Sequence, residues 1–262
     1  MKTLTHILSV ALLLTLFAGH SHALSDAEAI NLAGSQRMLS QRMMKNYLMI
    51  GADIKADRAQ KQLDESIALF EERLLTLQDY APSHSIKKAL SKIEDVWFQH
   101  RQKLLQKPKQ DQVESLLVEN RKLLTACHQN VLAITKQAGV ASADLVNISG
   151  RQRMLSQRIA KAYIAMYWDI DSEGVKQEFE QAKVEFNNAL GKLQKSSMNT
   201  SEVNDALGRV ESQWRFSQTG FKLDESGKYV PTIISVTTDS ILKKMDAITK
   251  MYEGIMNSQQ NS

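Results

Sequence analysis

Arg37 and Arg153 are the residues of this chain best suited to hold a ligand. Each lies in a segment that occurs twice, INLAGSQRMLSQRMMK at 30–45 and VNISGRQRMLSQRIAK at 146–161, with ten of sixteen positions identical. On a helix, Asn31, Gly34, Arg37, Met38, Gln41 and Lys45 share a sector of about 120°. All six recur in the second segment as Asn147, Gly150, Arg153, Met154, Gln157 and Lys161, whereas the differences, such as Ser35 against Arg151, fall mostly elsewhere. A guanidinium is planar, permanently charged and presents paired donors that match a planar oxyanion, and Asn and Gln add neutral donors. This face therefore suits a small anion. The candidate ligand-binding residues are Arg37, Arg153, Asn31, Asn147, Gly34, Gly150, Gln41 and Gln157. Arg37 and Arg42 stand about 140° apart on one helix and cannot converge. A two-arginine clamp needs Arg37 and Arg153 facing each other across a pseudo-twofold axis, with Arg42 and Arg158 turned to carboxylates on other helices. The alternative stays open that Arg37 and Arg153 are solvated or paired with acidic residues. Glycine in a helix costs about 1 kcal/mol against alanine, so Gly34 and Gly150 imply close approach of another backbone.

The elements that must carry this face are helices. The 262 residues include only three prolines and eleven glycines, far below the usual ~12 % for the two together. The duplication runs beyond the signature at an offset near 116. It pairs Phe70 with Phe186, Leu74 with Leu190 and Leu77 with Leu193, and one residue later Trp97 with Trp214. Ala133–Lys136 echoes Ala247–Lys250. Each copy reads as four helices. In the first copy these run over about 26–50, 55–78, 85–105 and 112–137, with Ser25 and Glu28 as a capping box and breaks at Ala81-Pro82 and Lys107-Pro108. In the second copy the turns are expected near Glu173-Gly174, Asn199-Thr200 and Ser226-Gly227, with Pro231 early in the last helix. The expectation is an all-α protein of two tandem antiparallel, up-and-down four-helix bundle units.

Residues 1–23 read as a signal peptide, with Lys2, an apolar run from Ile7 to Ala18, and cleavage after Ala23 at Ser21-x-Ala23. An uncleaved anchor is the alternative. The units then span 24–138 and 139–262, and the expected location is the periplasm. One cysteine, Cys127, excludes an intramolecular disulfide and is expected to be a buried small apolar residue. His84, His100 and His128 lack metal-ligand spacing and are expected at the surface. Met38, Met43, Met44 and Met49 read as core rather than a copper site. No metal, cofactor or nucleic acid is expected. No catalytic grouping can be assembled from these helices, so an enzyme is not expected.

The repeated segment resembles the first-helix signature of the PilJ-type sensory domain, the N-terminal domain of type IV pilus methyl-accepting chemotaxis transducers. It is also similar to the nitrate/nitrite-sensing P-box of NarX-type sensors. The resemblance is strong over about sixteen residues per copy and weaker beyond. It implies a four-helix bundle in which the arginine at the middle of the motif, Arg37 and Arg153 here, holds nitrate where two first helices meet. It also implies that Asn31, Gly34, Asn147 and Gly150 stand at the start of the motif. Tandem copies could supply both first helices within one chain. The expected partners are a small anion such as nitrate or nitrite and a membrane-bound receptor or kinase, with a further homodimer open. The alternative function is an envelope interaction module without a small ligand.

Overall fold

The computed structural model describes residues 24–170, 172–224 and 230–260. Among these residues there are eight helices and no strand. The first half contributes α1 (Asp26–Gly51), α2 (Ala56–Tyr80), α3 (His84–Leu104) and α4 (Gln110–Ala138). The second contributes α5 (Ala141–Tyr167), α6 (Glu173–Gln194), α7 (Ser201–Asp224) and α8 (Pro231–Gln260). The proposed signal peptide and the Ser226-Gly227 turn lie outside the described residues. No helix among the described residues is long and apolar enough to cross a membrane.

The caps explain most boundaries. Ser25 Oγ accepts from the Glu28 amide at 3.3 Å and Glu28 Oε2 accepts from the Ser25 amide at 2.8 Å, the reciprocal box read from the sequence. The break before α6 differs from the expected Glu173-Gly174. Glu173 is already helical, and the chain turns earlier, where Asp169 takes a left-handed conformation at φ 57°. Gly139, also left-handed at φ 66°, caps α4. α5 starts two residues later, so it runs back antiparallel to α4 and hence parallel to α1.

The most extensive packing in the molecule is α1 against α5. α1 also packs on α2 and α4, and α5 on α6 and α8, so the two signature helices form the centre of one assembly. Both are buried nearly all round, which is why neither shows a clean polar face. The outer helices are amphipathic. On α2, Leu63, Ile67, Phe70, Leu74 and Leu77 are all buried. Each half is pinned by the same aromatic pair, with ring centroids 4.5 Å apart for Phe70–Trp97 and 4.4 Å for Phe186–Trp214. Cys127, Met38, Met43, Met44 and Met49 are core residues, as expected.

Candidate functional site: the seam between α1 and α5

Gly34 and Gly150 lie where α1 crosses α5. A methyl group on Gly34 would stand 3.4 Å from Arg153 Nη2, 3.5 Å from Arg37 Nη2 and 3.9 Å from the Gly150 Cα. One on Gly150 would meet the same two guanidinium groups at 3.3 and 3.6 Å. The glycines thus leave the space that both arginines fill. Each arginine reaches across to the other helix. Arg37 Nη2 donates to the Asn147 carbonyl at 3.1 Å, and Arg153 Nη2 donates to the Asn31 carbonyl at 3.1 Å and to Asn31 Oδ1 at 2.7 Å. Side chains on a helix lean toward its N-terminus, so the residues six positions before the equivalent arginine on the neighbouring parallel helix receive them.

The asparagines therefore present acceptors to the arginines, and Asn31 Nδ2 donates to Glu253 at 2.6 Å. One and two turns beyond the arginines, the glutamines and lysines cross in the same reciprocal way. Gln41 Nε2 and Lys161 Nζ both donate to Asn120 Oδ1 on α4, at 2.9 and 3.3 Å. Gln157 Nε2 and Lys45 Nζ both donate to Asp239 Oδ1 on α8, at 3.1 and 2.7 Å. Lys161 has its carboxylate elsewhere, on Glu178 at 2.6 Å. Burial is the larger influence on Lys45 and Lys161 and lowers both pKa values despite their carboxylates. Gln41 and Gln157 belong to this layer rather than to the arginine pair.

The pseudo-symmetry fails at one decisive place. Arg153 Nη1 donates to Asp246 of α8 in an ion pair. The equivalent Nη1 of Arg37 meets His128 Nδ1 of α4, at 3.3 Å. Arg37 is only 1 % exposed, and no carboxylate pairs with it among the described residues. Its Nε has no hydrogen-bond partner there either. Burial, with repulsion from Arg151 and Arg153, pulls its pKa down to about 9, which still leaves it charged at neutral pH. Burial and the same neighbourhood, Arg37 and Arg151, hold the His128 imidazole down to about 4. His128 is therefore neutral and offers no counter-charge.

Two histidines depart from the expected surface placement. His128 is half-buried on Arg37, and His100 is fully buried, its Nε2 3.4 Å from Asn120 Nδ2. Of the three, only His84 is exposed. Arg158 does pair with carboxylates, Glu178 at 2.9 Å and Glu185 at 3.9 Å, whereas Arg42 Nε finds no partner among the described residues. Among the described residues no cluster of three His, Cys, Asp or Glu is placed to hold a metal. His128, Asp246, Asn120 and Asp239 were missed in the sequence. Nothing in the repeated segment points to them.

The residues that cross at this seam are those of the repeated segment, and the comparison with known families falls on the same stretches. The PilJ family, described as the type IV pili methyl-accepting chemotaxis transducer N-terminal domain, matches residues 20–120 and 133–223. The chain belongs to this family. It carries two tandem PilJ units, and the α1/α5 seam joins the first helix of one to the first helix of the other. No curated protein and no solved structure matches the chain.

Proposed function

We propose that this protein is an exported sensory module that binds a small oxyanion, nitrate or nitrite being the specific expectation, on Arg37 at the α1/α5 seam. In this reading Arg153 closes the far side of the seam, and Asn31, Asn147, Gly34 and Gly150 position the two guanidinium groups. The observation that carries it is the buried Arg37, which has no carboxylate partner among the described residues. An unpaired buried charge is costly, and an anion from solution is the partner that removes the cost. PilJ membership supports a sensory role in chemoreceptor signalling rather than catalysis. With residues 1–23 read as a cleaved signal and 24–138 and 139–262 as the two units, the module works in the periplasm and passes its state to a membrane-bound receptor or kinase. The means of transmission is a change at the seam, because an anion on Arg37 weakens the repulsion between the arginines and lets α1 and α5 settle closer.

Equilibrium dialysis against nitrate and against nitrite tests this reading. Saturable uptake that disappears in the Arg37→Ala plus Arg153→Ala variant supports it. No uptake by the wild-type protein overturns it.

A further inference from the structure

The asymmetry at Arg37 extends into the space beside it. A cavity of about 230 Å³ opens between α4 and α5, with Arg37, Arg121, His128, Arg151 and Arg158 in its walls. Four guanidinium groups around one cavity repel one another unless anions lie among them. Protein carboxylates satisfy two. Arg151 is held by Glu185 at 2.7 Å, and Arg158 by Glu178 at 2.9 Å. Arg37 and Arg121 have no ion-pair partner among the described residues. Arg37 is fully buried and Arg121 is exposed, so the two unpaired charges stand at the inner and outer ends of the cavity. Leu124 and Met154 supply apolar wall to the same space.

We propose that this cavity binds a short aliphatic di- or tricarboxylate, one per chain, with one carboxylate on Arg37 and another on Arg121. The proposal rests on Arg37 being an anion site and names the ligand class that the rest of the walls select. The volume is room for roughly seven water molecules at ~30 Å³ each, more than a four-atom anion fills and suited to a ligand with a few methylene groups. Two separated carboxylates answer two separated guanidinium groups, and Leu124 and Met154 cover the carbons between them. The stoichiometry follows from the duplicate. On the opposite side Asp246 already occupies the position of a ligand carboxylate on Arg153, so the second half has closed its site with its own side chain. A ligand held by α1, α4 and α5 together ties the first bundle to the central helix of the second.

Isothermal titration of the purified protein tests this with nitrate, acetate, phosphate, succinate, malate and citrate at constant ionic strength. The expected result is one site per chain, with a di- or tricarboxylate bound at least tenfold more tightly than acetate, nitrate or phosphate. In His128→Asp, which gives Arg37 the carboxylate that Arg153 already has, binding should drop by at least a hundredfold with the helical circular dichroism unchanged. Arg121→Ala, on an exposed side chain, should weaken succinate by about tenfold and leave acetate unaffected. Binding of nitrate but of no multivalent carboxylate overturns the cavity proposal and leaves the Arg37 anion reading standing. Silence from every anion overturns both. Two equal sites per chain, or an unaffected His128→Asp variant, overturns the asymmetry.

Discussion

Arg37 and Arg153 occupy equivalent places in the duplicate, but among the described residues only Arg153 has a carboxylate beside it. Substitutions of Arg37 and of the carboxylate on Arg153 should therefore act in opposite directions. Arg37→Met removes an uncompensated buried charge and keeps the volume, so the ligand-free protein should gain about 1–4 kcal/mol in urea unfolding. Asp246→Asn strips the charge partner from Arg153 and should cost about 1–2 kcal/mol, below the usual range for a buried pair, because the Asp246 side chain is 44 % exposed. The buried His100 and the half-buried His128 set a pH dependence of definite sign. Both have folded-state values of about 4, burial being the main cause, with Lys161 and Lys103 repelling His100. The unfolded chain titrates near 6.5 and binds more protons between those values, so stability is full above about pH 6.5 and falls as pH drops toward 4. Asp239 and Glu178, held below the ordinary carboxylate range by Lys45 and by Lys161 with Arg158 against the opposing effect of burial, extend the loss at lower pH. Urea melts at pH 7.5 and 4.5 should differ in this direction. His100→Gln should flatten the difference.

At the scale of the helix, the glycines decide how closely α1 and α5 approach. Glycine to alanine inside a helix ordinarily gains about 1 kcal/mol. At Gly34 and Gly150 the added methyl meets guanidinium groups at 3.3–3.4 Å, so that gain should vanish or reverse in thermal unfolding. At Gly51 a methyl would stand 2.2 Å from the Trp168 ring, and Gly51→Ala should destabilise by about 2 kcal/mol or more as the α1/α5 end contact is overpacked. Much at this scale was legible in the sequence. Ser25 with Glu28, the prolines and the spacing of Leu63, Ile67, Phe70 and Leu74 fixed helix starts and faces, because caps and periodicity are local physics. The glycines of the repeated segment announced a close approach. The partner of Arg37 was not legible, because it lies 91 residues away on α4 and depends on register. His128 and Asp246 correspond at an offset of 118, whereas the signature repeats at 116 and the Ala133–Lys136 echo at 114. Within the fourth helices the visible echo pairs His128 with Leu242, about one helical turn before Asp246, which hides the equivalence. The burial of His128 and His100 went unseen for the same reason, since a lone histidine carries no mark of which face it will join.

The whole molecule is a duplicated bundle whose halves have diverged in charge. The first half places Asn120 and His128 on its fourth helix where the second places Asp239 and Asp246, so the missing negative charge lies on the α4 side. The halves share their central helices. In a chain cut to residues 24–138 the seam face of α1 would be bare, and such a half should self-associate through it; sedimentation equilibrium should report a dimer, whereas the full chain needs no second copy to complete the seam. In the proposed function Arg37 is a buried charge held in reserve for an anion. The most direct test is thermal unfolding of wild type and Arg37→Met in nitrate, nitrite, chloride, sulfate, acetate and succinate at constant ionic strength. Saturation at a hundred times the dissociation constant adds about 2.7 kcal/mol, several degrees for a chain of this size. A selective rise is expected in the wild type, and a variant that melts higher without ligand and does not respond to it. A wild type that no anion shifts, or a variant that keeps the shift, would contradict it.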